Sequence, residues 1–175
     1  MDGFTLREVA RRAGVSHAAP YHHFADKAAL VRTLAREAFE RLTTRLRAAA
    51  NSSGPPLKRL EAVGIAYVEF ALENSAEFRF MFRRDLCGSD EDADFDRASF
   101  DAFQVLVDSM QKCNEAGLLR PIPFETLPLA CWSIVHGLAD ILMNDPGRTP
   151  LTGAKSAQQT ARILIQLLER GFRVP

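Results

Sequence analysis

The chain has 175 residues, 47% of them hydrophobic and 25% charged, with 22 basic and 22 acidic side chains. This composition excludes a disordered or fibrous protein and allows one globular domain or two small ones. Three cysteines (Cys87, Cys113 and Cys131) fit no zinc spacing or even disulfide framework; with no run of ~20 apolar residues and no signal peptide, a cytoplasmic protein without a membrane role is expected.

The zero net charge conceals an asymmetry. Residues 1–50 carry nine Lys/Arg and five acids, and the remainder is acidic by the same margin. A basic head on an acidic body suits contact with DNA at one end.

Thr5 and Glu8 fit a capping box, and Phe4 with Val9 fits the hydrophobic staple ahead of a first helix. Leu6, Val9, Ala10 and Ala13 repeat at helical spacing, with Arg7, Arg11 and Arg12 outward. Gly14 stands where a left-handed C-terminal residue is needed. Ser16 is expected to cap a second helix carrying His17, Ala18, Ala19, Tyr21 and His22. Asp26 caps a third helix, from Lys27 to about Ala50, with Leu30, Leu34, Phe39, Leu42 and Leu46 as its apolar line. Two short helices around a glycine turn, and the start of a third, make a helix-turn-helix; a three-helix protein-binding module is the plainer reading. Asn51-Ser52-Ser53-Gly54-Pro55-Pro56 marks a boundary, dividing a head and linker helix (1–50) from a body (55–175). Helices are expected near 56–73, 76–84, 94–116, 125–143 and 155–172. Strand alternation is missing, so the expected fold class is all-α.

Thr5, Ala10, Ala13, Gly14, Val15, Ser16, Tyr21, His23, Phe24, Asp26, Lys27 and Leu30 together resemble the DNA-binding domain of TetR-family repressors. In the body, Trp132, His136 and Gly137 resemble a subgroup with a Trp-x-x-x-His-Gly signature. The resemblance implies a regulator that binds double-stranded DNA as a homodimer on a palindromic operator and answers to a small-molecule effector, most simply as a repressor. Thr5 and Arg7 would touch phosphate, and Ser16 belongs to the same DNA-facing turn. His17, Ala18 and Ala19 would face base edges, and Tyr21, His22 and Lys27 would grip the backbone. His23 and Phe24 would lock the small core that Val9 and Val15 share. The sequence departs from the family's pattern twice. Only Met1, Asp2 and Gly3 precede Phe4, where the family carries a further helix, and Pro20 lies in the first turn of the recognition helix. The rival reading is a ligand-binding or heterodimerising protein that has lost DNA binding.

Residues 125–143 are apolar nearly all round, except for a line through Ser133, His136 and Asp140. Such a helix needs cover on two sides. A subunit interface is expected through Ile134, Leu138 and Ile141, and through Ala157, Ala161, Leu164 and Leu168 of the last helix, with Ile163 and Leu167 widening that face. Two helices from each chain would form a four-helix seam; a large monomer core is the alternative. Phe70, Phe78, Met81, Phe82, Phe103, Trp132 and His136 are candidates for an effector pocket, against the simpler reading as ordinary core. A His136–Asp140 hydrogen bond would be structural, since no nucleophile, metal spacing or phosphate loop accompanies it to make an enzyme. Asp90, Asp92, Asp94 and Asp101 fall at calcium-loop spacing, but Phe95 stands where that loop needs glycine. No cofactor or metal is expected.

Overall fold

A computed structural model describes residues 4–87, 92–121, 123–144 and 157–174. The described chain is helical: α1 (Leu6–Ala13), a 3-10 turn (Ala19–His22), α2 (Lys27–Ala50), α3 (Pro56–Glu73), α4 (Ser75–Met81), α5 (Arg84–Cys87), α6 (Ala93–Glu115), α7 (Leu127–Asn144) and α8 (Ala157–Phe172). Its one isolated bridge pairs Leu119 with Arg173 in antiparallel sense.

The N-terminal cap forms by half. Thr5 Oγ1 accepts from Glu8 N–H at 3.2 Å, but the Glu8 carboxylate accepts from Arg12 at 3.0 Å. Phe4 packs on the body's core, and Lys27 Nζ lies 4.3 Å from its ring centre. At the other end of α1, Gly14 adopts φ 70°, its N–H donating to Arg11 O at 3.3 Å and Val15 N–H to Ala10 O at 3.1 Å. This pair of bonds is a Schellman closure, and it needs the left-handed residue. Gly14→Ala is expected to cost about 1 kcal/mol of stability, from backbone strain alone because open space surrounds the position. Urea unfolding would measure it, and a neutral result would mean that the turn relaxes.

Pro20 corrects the second helix. Ser16 caps no α-helix; its carbonyl accepts from Ala19 N–H at 3.0 Å, and the chain winds as a 3-10 turn from Ala19 to His22. Proline brings no N–H and its ring blocks the preceding turn, so the segment tightens instead of extending. Pro20 is buried while Ser16, His17, Ala18, Tyr21 and His22 are exposed. Val15 and His23, expected in the head's core, also face outward.

The body is built around α2 and α3. α2 packs on α3, α4, α5 and α6, and α3 packs on α6, α7 and α8. The main core runs through Phe39, Leu42, Val63, Tyr67, Phe70, Phe78, Met81 and Val135. A second cluster joins Leu60, Met110, Cys113, Leu119, Leu127, Cys131 and Phe172. The C-terminus closes it: Arg120 N–H donates to Phe172 O at 2.7 Å and Val174 N–H to Leu118 O at 3.0 Å. All three cysteines are buried. Burial pushes the Cys113 thiol to about 11 and that of Cys131 to about 12, which makes both poor redox nucleophiles. α7 is long and apolar enough to span a bilayer by composition alone, but here it packs on α3, α6 and α8.

The calcium reading gives way to a helix start. Asp92 Oδ1 caps α6 by accepting from Phe95 N–H at 3.0 Å, and Asp94 lies 3.8 Å from Arg36. Asp101 is about two turns farther along the same helix. Asp90 lies outside the described residues. No cluster of metal-ligating side chains occurs among the described residues.

Candidate DNA-reading head and effector cavity

The head presents a compact polar surface. Arg7 and Arg11 are exposed on α1, whose N-terminal end carries the unpaired amides and partial positive charge that attract phosphate. Thr5, the 17–18 turn and the 3-10 segment with Tyr21 and His22 lie beside it, α1 packing directly on the 3-10 turn. The small side chains of Ala18 and Ala19 leave the backbone there accessible for close approach. Lys27 is partly withdrawn onto Phe4.

Four arginines counted as head charge serve the body instead. Arg32 donates to Cys87 O and lies 3.5 Å from Asp92; Arg36 lies 3.8 Å from Asp94. Arg41 bonds Glu77, and Arg45 bonds Glu69 at 3.0 Å and Glu73 bidentately. Glu69, Glu73 and Glu77 belong to α3 and α4, so the linker helix is fastened to the acidic body by charge. The net charge of residues 1–50 therefore overstates what faces DNA.

Inside the body a cavity of about 290 Å³ opens between α2, α3, α6, α7 and α8. Its walls include Phe39, Leu42, Leu46, Val63, Tyr67, Phe82, Phe103, Leu106, Trp132, Val135, Ile165 and Leu168, with Ser99, Cys131 and Glu169 as polar points. Gly64 lines it where a Cβ would stand 2.8 Å from Ile165 Cδ1, so a side chain here would displace the end of Ile165. Of the seven pocket candidates, Phe82, Phe103 and Trp132 line this space. Phe78 and His136 line a neighbouring cleft together with Phe82, Arg79 and Asp140. Phe70 and Met81 are core residues packed away from both, because their side of α3 and α4 meets α2.

Tyr67, at the junction of the two spaces, organises their polar atoms. Trp132 Nε1–H donates to Tyr67 Oη at 3.2 Å, and Tyr67 Oη lies 2.8 Å from His136 Nδ1. Burial raises the phenol pKa and lowers that of the imidazole, so both rings are held neutral and the imidazole tautomer sets which of them donates across this contact. Asp140, the partner expected for His136, instead accepts from Asn144 at 2.8 Å. Phe78, Phe82 and Trp132 surround His136 with ring centres 4.6 to 5.6 Å away.

The exposed faces of α7 and α8 revise the interface expectation. Leu138 and Ala161 are buried within the chain, Leu164 packs on its core and Leu168 lines the cavity. Ile134 and Ile141 face outward, as do Leu129, Ile163 and Leu167. The outward apolar stripe is rotated on α8 because Ala161, Ile165 and Phe172 are drawn in against α3 and the second cluster. The Ala157 side chain, also expected at the interface, lies outside the described residues.

Residues 60–169 match the family model "Tetracyclin repressor-like, C-terminal domain", and residues 1–34 match "Bacterial regulatory proteins, tetR family". The chain belongs to the TetR family. It is therefore a DNA-binding transcriptional regulator, and the match of the head runs against the reading in which DNA binding is lost. A Rhodococcus sp. RHA1 protein of unknown function is 28% identical with a TM-score of 0.83, over 99% of this chain and 87% of that one. The regulator PfmR of Thermus thermophilus is 19% identical at a TM-score of 0.75, covering 95% and 88% of the two chains. The ketosteroid regulator KstR2 of Mycobacterium tuberculosis is 22% identical at 0.68, covering 98% and 86%. No curated protein matches the chain. TetR-family regulators usually work as dimers with small-molecule effectors, and membership points to regulation rather than enzymatic turnover.

Proposed function

We propose that this TetR-family protein is a ligand-responsive repressor that acts in the cytoplasm. Two copies pair through the outward faces of α7 and α8 and set their heads on a palindromic operator. Half-sites read by such a pair lie about 34 Å apart or a multiple of it. The observation that carries the reading is the placement of the apolar cavity against α2. Phe39, Leu42 and Leu46 of its wall belong to the helix that also carries the head. A molecule that fits only one setting of α2 shifts the population of head spacings by its differential affinity for that setting; a 100-fold preference corresponds to about 2.7 kcal/mol.

Thr5 and Arg7 then contact phosphate, Ser16, His17, Ala18 and Ala19 meet the groove, and Tyr21, His22 and Lys27 steady the duplex. Fluorescence anisotropy with DNA from the protein's own upstream region, over a salt series, tests this reading. Selective, salt-steep binding is expected; equal affinity for scrambled DNA would overturn it. Arg7→Ala is expected to weaken binding uniformly across sequences and lower the logarithmic salt slope by about 1, the signature of one lost phosphate contact. A change in sequence preference would instead give Arg7 a base-reading role.

A further inference from the structure

The cavity wall contains one carboxylate, and it is poorly accommodated. Glu169, on α8, lines the cavity among Leu60, Leu106, Leu168 and Phe172. Its Oε1 is fully buried and has no hydrogen-bond partner among the described residues. The nearby carboxylate of Glu61 is served quite differently: Lys58 bonds it at 2.6 Å, Gln166 at 3.0 Å, and Arg162 lies 3.7 Å away. The local cation Lys58 is thus engaged with Glu61. Burial, and then the charge of Glu61, raise the pKa of Glu169, against weaker opposition from Lys58 and Arg173.

A carboxylate oxygen held out of water without a donor is costly, and any ligand that supplies the donor recovers that cost. Aromatic walls at Phe82, Phe103 and Trp132 favour an apolar body and tolerate positive charge near their faces. At about 30 Å³ per water of liquid, the cavity has room for a molecule of roughly ten heavy atoms. Resting on the effector reading above, we propose that the effector class is a small hydrophobic organic cation, an aryl or alkyl amine whose ammonium group pairs with Glu169.

The test compares three molecules of nearly equal size: 4-phenylbutylamine, 4-phenylbutan-1-ol and 4-phenylbutanoate. Binding to the full-length protein is followed by the fluorescence of Trp132, the chain's single tryptophan, and by calorimetry. The amine is expected to bind at least about tenfold more tightly than the alcohol, and the carboxylate more weakly than both, since a full ion pair outweighs a neutral hydrogen bond at a partly buried carboxylate and a like charge is repelled. In Glu169→Gln the preference for the amine over the alcohol should vanish while alcohol binding persists; because this variant removes a buried carboxylate, its melting temperature should not fall. Alcohol binding equal to or tighter than the amine, or an amine preference that survives in Glu169→Gln, overturns the cation proposal and leaves the effector cavity standing. Failure of all three molecules to bind overturns the cavity reading with it.

Discussion

Leu167→Glu is expected to turn a dimer into a monomer and to reduce operator affinity by about 100-fold or more. Leu167 is 55% exposed in the single chain, beside Ile163 on α8 and with Ile134 and Ile141 on α7. A glutamate there would meet little inside its own subunit. In a two-fold interface it would be buried twice, once from each chain, and an uncompensated buried charge costs several kcal/mol. A monomer then loses the second half-site and with it the gain from linked binding. Sedimentation measures the association and anisotropy the operator affinity, while circular dichroism checks that the helices persist. A variant that stays dimeric would remove this face from the interface; a monomer that keeps full affinity would separate pairing from DNA recognition.

Tyr67→Phe is expected to destabilise the fold by about 2–4 kcal/mol, although it deletes a single oxygen. That oxygen accepts from Trp132 and shares a hydrogen bond with His136 at once. Without it, a half-buried indole N–H and a half-buried imidazole nitrogen each lose a partner, at about 1–2 kcal/mol apiece. The ring itself remains to fill the space against Phe78, whose centre is 5.5 Å away, so no cavity term is added. Urea unfolding measures the loss, and the emission of Trp132 should shift as its N–H changes partner. A cost below about 0.5 kcal/mol would show that water satisfies both groups, within the range of an ordinary surface substitution.

Periodicity and punctuation made most of this fold legible in advance. The linker helix and α3 begin and end where Asp26, Asn51 and Pro56 place them, because a capping side chain and a proline act locally. The second head helix was not legible, since its residues fit a helical pattern and only Pro20 opposes it; the backbone follows the proline. The outward side of α8 was not legible for another reason. Both sides of that helix are apolar, and nothing in Leu164, Leu167 or Leu168 alone says which side meets α3. Head charge was overcounted because Arg32, Arg36, Arg41 and Arg45 look like DNA contacts until Glu69, Glu73, Glu77, Asp92 and Asp94 come into place around them. For the pocket, aromatic content pointed to the part of the body where the cavity lies. The hydrogen bond between Tyr67 and His136 joins residues 69 apart in sequence, and Glu169 has no motif around it, so neither carried a sequence signal.

The arginine fastenings of α2 also govern how mechanical work would pass through the molecule. Arg32 and Arg36 hold the helix to the Cys87 carbonyl and the start of α6, whereas Arg41 and Arg45 hold it to α3 and α4. From first to last, these moorings span about 20 Å along a helix that rises 1.5 Å per residue. Only the first turn, Lys27 to Val31, overhangs beyond them toward the DNA. A rod moored at two points with so short a free end has little slack. Sliding of α6 against α3 and α4 would pivot it as one piece, and the head would follow without a hinge of its own.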